Sequence, residues 1–148
     1  MEKGWRITTN KIKKESIMEQ VLRSLTLDFF GKGKHKISPE VFFEKDNAIF
    51  LDVRSKEEAE TLEFKLKHHS DIKSINIPVD KIPDEIDKLS KDKFIGIFCP
   101  GSVRSTVVYA YLLSKGFSDV RIIMGGYSAL TEALKPGKVL QAIAVAKE

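Results

Sequence analysis

The sequence predicts an α/β domain built on a mainly parallel sheet with helices packed against it. Two observations carry that prediction. Ala48 to Leu51 and Phe94 to Phe98 are continuous apolar runs of strand length, the mark of strands covered on both faces. Segments with helix-start signals then alternate with such runs along the chain, the order expected of parallel strands joined by helical crossovers.

The elements follow in order. Ser16 and Glu19 form a Ser-x-x-Glu capping box, after which Ile17, Val21, Leu22 and Leu25 fall on one helical face. This helix is expected to end before the basic linker Gly31 to Lys34. Ser38, Pro39 and Glu40 supply an N-cap, a first-position proline and a first-turn acid for a second helix. The run from Ala48 ends in Asp52, Val53 and Arg54, and Ser55 with Glu58 repeats the capping box. Ile72 to Ile77 reads as a strand closed by Pro78, and Ile82 to Glu85 opens a helix that includes Ile86 and Leu89. After Phe94 to Phe98 comes a short loop. Val107, Val108, Tyr111 and Leu112 then recur at helical spacing up to a stop at Lys115 and Gly116. Asp119 to Ile123 is a further strand, and Gly125, Gly126 and Tyr127 turn into a helix that Pro136 and Gly137 are expected to break, leaving a short apolar tail from Val139 to Ala146.

Composition narrows the class. With 42% hydrophobic and 31% charged residues, the 148-residue chain is of ordinary globular type and long enough for one core. One cysteine excludes an internal disulfide, no apolar run reaches bilayer-spanning length, and Met1 to Arg6 lacks the apolar core of a signal peptide. A soluble, cytoplasmic protein with no membrane partner is expected. The net charge of +4 resides in residues 1–36, where nine Lys/Arg face four Asp/Glu, against 16 and 17 in the remainder. Scattered lysines beside the single Trp5 fall short of a nucleic-acid patch and read as a solvated helix face, so no nucleic-acid partner is expected.

The chemistry concentrates at Cys99. It follows a buried strand and precedes a helix, at the carboxyl end of the sheet where ligands of open α/β folds bind. The segment Cys99, Pro100, Gly101, Ser102, Val103, Arg104, Ser105 is short enough to curl its backbone N–H groups around one centre, at the positive end of the following helix. Such a nest, with Arg104 at its edge, favours a thiolate and would hold a persulfide anion equally well. The dispersed histidines and one cysteine make no metal-ligand set, and no cofactor is expected.

From Ile37 to Leu134 the sequence resembles the rhodanese homology domain. The resemblance runs through Ile37 to Glu40, Ile49 to Arg54 with Ser55 to Ala59, Ser74 to Pro78, Ile97 to Ser105, Leu112 to Val120, and Met124 to Tyr127, in that order. It implies a three-layer α/β domain with a central, mainly parallel five-stranded sheet. It also implies a sulfurtransferase of thiosulfate:cyanide type. A donor (thiosulfate, polysulfide or persulfide) would sulfurate Cys99, and a thiol, cyanide or an acceptor protein would remove the sulfur. Four residues separate Cys99 from Arg104, one fewer than in the related cell-cycle phosphatases, which places the loop with sulfur rather than phosphate or arsenate.

Individual residues are assigned accordingly. Cys99 is expected to be catalytic, with Pro100, Gly101, Ser102, Val103, Arg104 and Ser105 forming the substrate loop. Ser105 is expected to cap the helix. Asp52 and Arg54 match the Asp-Val-Arg motif and read as a supporting ion pair. Gly125 and Gly126 are expected to permit a tight turn, with close approach to the loop as a second possibility. His68 and His69 receive no catalytic role. Many thiosulfate-using members carry a basic residue inside the loop. Here Pro100 to Val103 has none, so polysulfide, persulfide or a protein donor is favoured. The organisation expected is a basic helical extension over 1–36, the rhodanese-like domain over 37–135 and a tail over 136–148, with the oligomeric state open. The alternative is a sulfur carrier or interaction module of the same fold that acts only with a partner protein.

Overall fold

The computed structural model describes residues 14–147. The first part of the expected N-terminal extension, Trp5 included, and Glu148 lie outside the described residues. The helices are α1 (Ile17–Ser24), α2 (Leu27–Gly31), α3 (Pro39–Phe42), α4 (Lys56–Thr61), α5 (Ile82–Glu85), α6 (Val103–Ser114), α7 (Gly126–Glu132) and α8 (Pro136–Lys147). The strands are β1 (Lys36–Ile37), β2 (Ala48–Asp52), β3 (Ile72–Asn76), β4 (Phe94–Phe98) and β5 (Val120–Ile123).

The five strands form one sheet in the order β1-β5-β4-β2-β3, and every pairing is parallel. The period of two along a strand sends alternate side chains to opposite faces. Ile49, Leu51, Ile95 and Ile97 therefore enter one core with Val108 and Leu112 of α6. Ala48, Phe50, Phe98 and Ile123 enter the other, with Phe42 of α3 and Leu130 of α7. Helices on both faces make three layers, and this is why β2 and β4 read as unbroken apolar runs. Gly96 sits within the β4 run for a steric reason. A Cβ there would lie 2.5 Å from Phe42 Cε1, so the missing side chain seats the Phe42 ring on the sheet.

Capping fixes the helix starts. Ser16 and Ser55 close full capping boxes, and Ser38 accepts the Val41 N–H ahead of Pro39. Three features differ from the sequence expectation. The N-terminal helix stops at Ser24, because Thr26 caps a second helix by accepting the Phe29 N–H. Within α1 only Val21 is buried; Leu25 beyond it packs on the core, while Ile17 and Leu22 remain exposed. The expected tail is the helix α8. Pro136 takes one of its first positions, where a missing N–H costs nothing, rather than ending structure. In addition, β1 lies across the expected boundary between residues 36 and 37 and adds the edge strand beside β5. Among the described residues no helix is long and apolar enough to cross a membrane.

Candidate active site

β4 carries the chain to the carboxyl edge of the sheet, where the Val53 N–H donates to the Phe98 carbonyl at 3.0 Å and extends the pairing past β2. Cys99 follows at once and is 1% exposed. The loop then turns through Ser102, whose φ of 65° lies in the left-handed region, and enters α6 at Val103. This turn aims the amino end of a 12-residue helix at the sulfur, and the Ser105 N–H donates to Cys99 Sγ at 3.3 Å. One backbone donor, the Ser105 N–H, and the helix dipole thus meet at the sulfur, an arrangement suited to a sulfur anion.

The cap expected of Ser105 is not there. Ser102, not Ser105, occupies the N-cap, and its side chain makes no capping bond. Its carbonyl instead accepts from both the N–H and the hydroxyl of Thr106, at 3.0 and 2.7 Å. Ser105 lies inside the helix, fully buried, and its hydroxyl has no hydrogen-bond partner among the described residues.

Arg104 leaves the first turn of α6 and meets Glu58 of α4. Nη1 lies 2.7 Å from Oε1 and Nη2 lies 3.1 Å from Oε2, a two-pronged pair whose side chains are each somewhat over a third exposed. Oε1 also accepts the Ser55 N–H, so the carboxylate is locked by its own capping box. The guanidinium, then the Ser55 N–H, draw the Glu58 carboxyl down to about 2 against the opposing effect of burial. In turn Glu58, and in smaller measure Cys99, hold Arg104 above its usual range.

A second arginine supports this arrangement from beneath. Arg54 is wholly buried, and its Nε and Nη2 donate to the two oxygens of Asp52 at 2.8 and 2.6 Å. Its remaining donors reach the Glu58 and Leu62 carbonyls and the Tyr127 hydroxyl. Its guanidinium also lies over the rings of Phe64, Phe98 and Tyr127. Burial opposes the charge, but the Asp52 bonds outweigh it and push Arg54 above its ordinary value. Asn76 ties the same corner together by donating to the Asp52 and Arg54 carbonyls at 2.9 Å each. The path from Asp52 through Arg54 to the α4 backbone, and from Glu58 to Arg104, is continuous.

The Gly125–Gly126 turn packs directly on the loop. Gly126 has a φ of +58°, and a Cβ on it would overlap the Pro100 carbonyl oxygen. Close approach is therefore a geometric fact here, alongside the tight turn. Pro100 to Val103 form the outer arc, and Val103 is 74% exposed at its end.

Sequence reasoning assigned Glu58 to helix capping and overlooked its second role; Tyr127 was overlooked as a partner of Arg54. A signal for Glu58 existed, since it follows the Asp-Val-Arg segment by a single helical turn. A cavity of about 570 Å³ elsewhere, lined by Glu44, Asp46, His69, Asp71 and Lys138, lies at the amino ends of β2 and β3 and includes no residue of the Cys99 loop. Among the described residues no group of three or more His, Cys, Asp or Glu side chains is placed to hold a metal ion.

Fold and loop together define a parallel α/β domain that presents one cysteine to the amino end of a helix. The family model for the rhodanese-like domain matches residues 41–133, and the chain belongs to that family. It is 30% identical to the tRNA uridine(34) hydroxylase of Chlamydia abortus, over 81% of this chain and 38% of that protein. Over 52% of this chain and 15% of the relative it is 32% identical to the tRNA sulfurtransferase of Haemophilus influenzae. The chain thus spans well under half the length of these curated relatives. Among solved structures, a rhodanese-like domain protein from Staphylococcus aureus superposes with a TM-score of 0.54 at 28% identity, covering 65% of this chain and 90% of that one. The NAD-dependent persulfide reductase of A. fulgidus superposes at 0.51 and 29% identity, covering 67% of this chain and 16% of that one.

Proposed function

We propose that the protein is a sulfurtransferase that carries sulfane sulfur as a persulfide on Cys99. The observation that carries this reading is the Cys99 sulfur at the amino end of α6, accepting the Ser105 N–H inside a loop closed by Arg104. In the first step the Cys99 thiolate attacks the outer sulfur of a donor. A new S–S bond forms, and the donor's own bond to that sulfur breaks with its electron pair leaving on the donor. In the second step an acceptor thiolate or cyanide attacks the outer sulfur, and the Cys99 thiolate departs. No external oxidant or reductant is consumed. Pro100 to Ser105 are the substrate loop, and Asp52 and Arg54 support it from below. A single cysteine kept free for sulfur suits the reducing cytoplasm, where we place the reaction.

Mass spectrometry tests the proposal. Incubation with thiosulfate, polysulfide and a thiol persulfide in turn should add the mass of one sulfur atom, and Cys99→Ser should abolish the gain. Wild-type protein that stays unmodified with every donor would refute it.

A second reading follows from the names of the curated relatives, which act on tRNA. In it the outer sulfur of the Cys99 persulfide attacks a tRNA uridine carbon whose oxygen a nucleotide-using partner enzyme has activated as a leaving group; an external thiol then attacks the Cys99 sulfur, releasing the thiouridine and leaving a mixed disulfide that a second thiol reduces. Protein loaded with radiolabelled sulfur and incubated with tRNA, a nucleoside triphosphate, a thiol and cell extract should then pass label to the nucleic acid. Transfer to small thiols alone would favour the first reading.

A further inference from the structure

We infer that Glu58 is a specificity-determining residue: by neutralising Arg104 it makes the Cys99 loop take sulfur from the persulfide of a thiol in preference to thiosulfate. The inference rests on the sulfurtransferase reading above. Its first support is geometric. Both oxygens of Glu58 engage the guanidinium, and the Ser55 N–H and the capping box hold the carboxylate in place, so the pair does not part cheaply. Its second support is the charge inventory. Arg104 is the only cation of the segment from Cys99 to Ser105, and Arg54 behind it is committed to Asp52, two carbonyls and Tyr127. The third is the form of the mouth. Cys99 is almost fully covered, so a donor reaches it end-on through its terminal sulfur. Val103, at the outer end of the loop, is apolar and 74% exposed, so it adds no second cation there.

The two donors place different charges on that mouth. Thiosulfate brings two negative charges to the Cys99 thiolate. As the new S–S bond forms, the old one breaks with its pair on sulfite, which leaves as a dianion, so three negative charges crowd the transition state. A protonated thiol persulfide brings none. Its outer sulfur moves to Cys99 with its proton, and the thiolate that leaves carries the single charge. Stabilising the first path needs an uncompensated cation at the mouth. Glu58 withholds the one the loop has.

Glu58→Gln tests this, because Gln at the same position can still complete the capping box while removing the charge. The readout is the ratio of kcat/KM for thiosulfate to kcat/KM for the persulfide of an uncharged thiol such as mercaptoethanol. Freeing the guanidinium should raise the ratio about tenfold, the worth of one charge-assisted contact at a half-exposed site. An unchanged ratio, including an equal fall with both donors, overturns the inference and leaves Glu58 a purely structural role. Val103→Lys supplies a free cation at an exposed position that does not threaten folding, and it should raise the same ratio. No rise there overturns the inference even if Glu58→Gln is unstable. Loading of the wild type from neither of these donors, nor from polysulfide, would instead overturn the sulfurtransferase reading itself.

Discussion

Gly126 and Pro100 are in direct backbone contact: the first residue of α7 lies so close to the Cys99 loop that no side chain fits between it and the Pro100 carbonyl oxygen. Gly126→Ala meets two obstacles, a φ of +58° and that carbonyl. The backbone conformation alone costs about 1–2 kcal/mol. The loop must also shift away from Cys99. The thermal midpoint should fall and the rate of Cys99 sulfuration should fall with it, both measurable on one preparation.

Asp52 and Arg54 form the most deeply buried ion pair described here. Asp52→Ala leaves a wholly covered guanidinium without its counter-charge, at a cost of about 3–5 kcal/mol. Urea unfolding should show that loss as a lower midpoint with an unchanged slope. Truncating an exposed pair such as Lys32 with Asp28 should change little.

Glu58 gives the fold an acid-sensitive element. Its carboxyl titrates near 2 in the folded chain against 4.5 for the free group, because Arg104 and then the Ser55 N–H stabilise the charged form. A depressed carboxylate adds stability that is complete above the unfolded value and fades as pH falls through the folded one. The thermal midpoint of the wild type should therefore drop more steeply from pH 4.5 to 2 than that of Glu58→Gln. Taking the difference between the two proteins cancels the other carboxylates. The pair is more than a third exposed, so added salt should shrink this difference.

Ser105 separates stability from chemistry. Its backbone N–H meets Cys99, while its buried hydroxyl bonds to nothing among the described residues, so Ser105→Ala removes an unsatisfied group. Stability should hold or rise by up to about 1 kcal/mol. If the hydroxyl serves the outer sulfur of the persulfide, transfer should slow in the same variant. Unaltered transfer would confine the loop's contribution to its backbone.

How much of this was legible in the sequence depended on the range of each interaction. β2 and β4 were plain because both of their faces are covered, which leaves no polar interruption to obscure them. Ser16, Ser38 and Ser55 marked helix starts because caps act within one turn. β1 has two residues, too few for any periodicity, and is a strand only because β5 lies beside it. Pro136 and Gly137 looked like a break, yet proline at the start of a helix is also an opening. Only the fold decides between those readings. At the site, the Cys99 loop was local and readable. Glu58 and Arg104 are 46 positions apart, and a capping signal already explained Glu58, so nothing nearby announced the partner. Ser105 was misassigned because the left-handed turn at Ser102 moves the helix start forward, which a Ser-x-x-Ser pattern does not reveal.

The position of β1 also bears on the order in which a ribosome releases this chain. Among the described residues Lys36 and Ile37 form the first strand in chain order, and their sheet neighbours are Ile122 and Ile123 of the last. The pairings β2 with β3 and β2 with β4 join segments made in close succession, so they can form while synthesis continues. The edge cannot close until β5 has emerged. Vectorial synthesis therefore leaves β1 waiting, and its seam with β5 closes after those that join β2 to its neighbours.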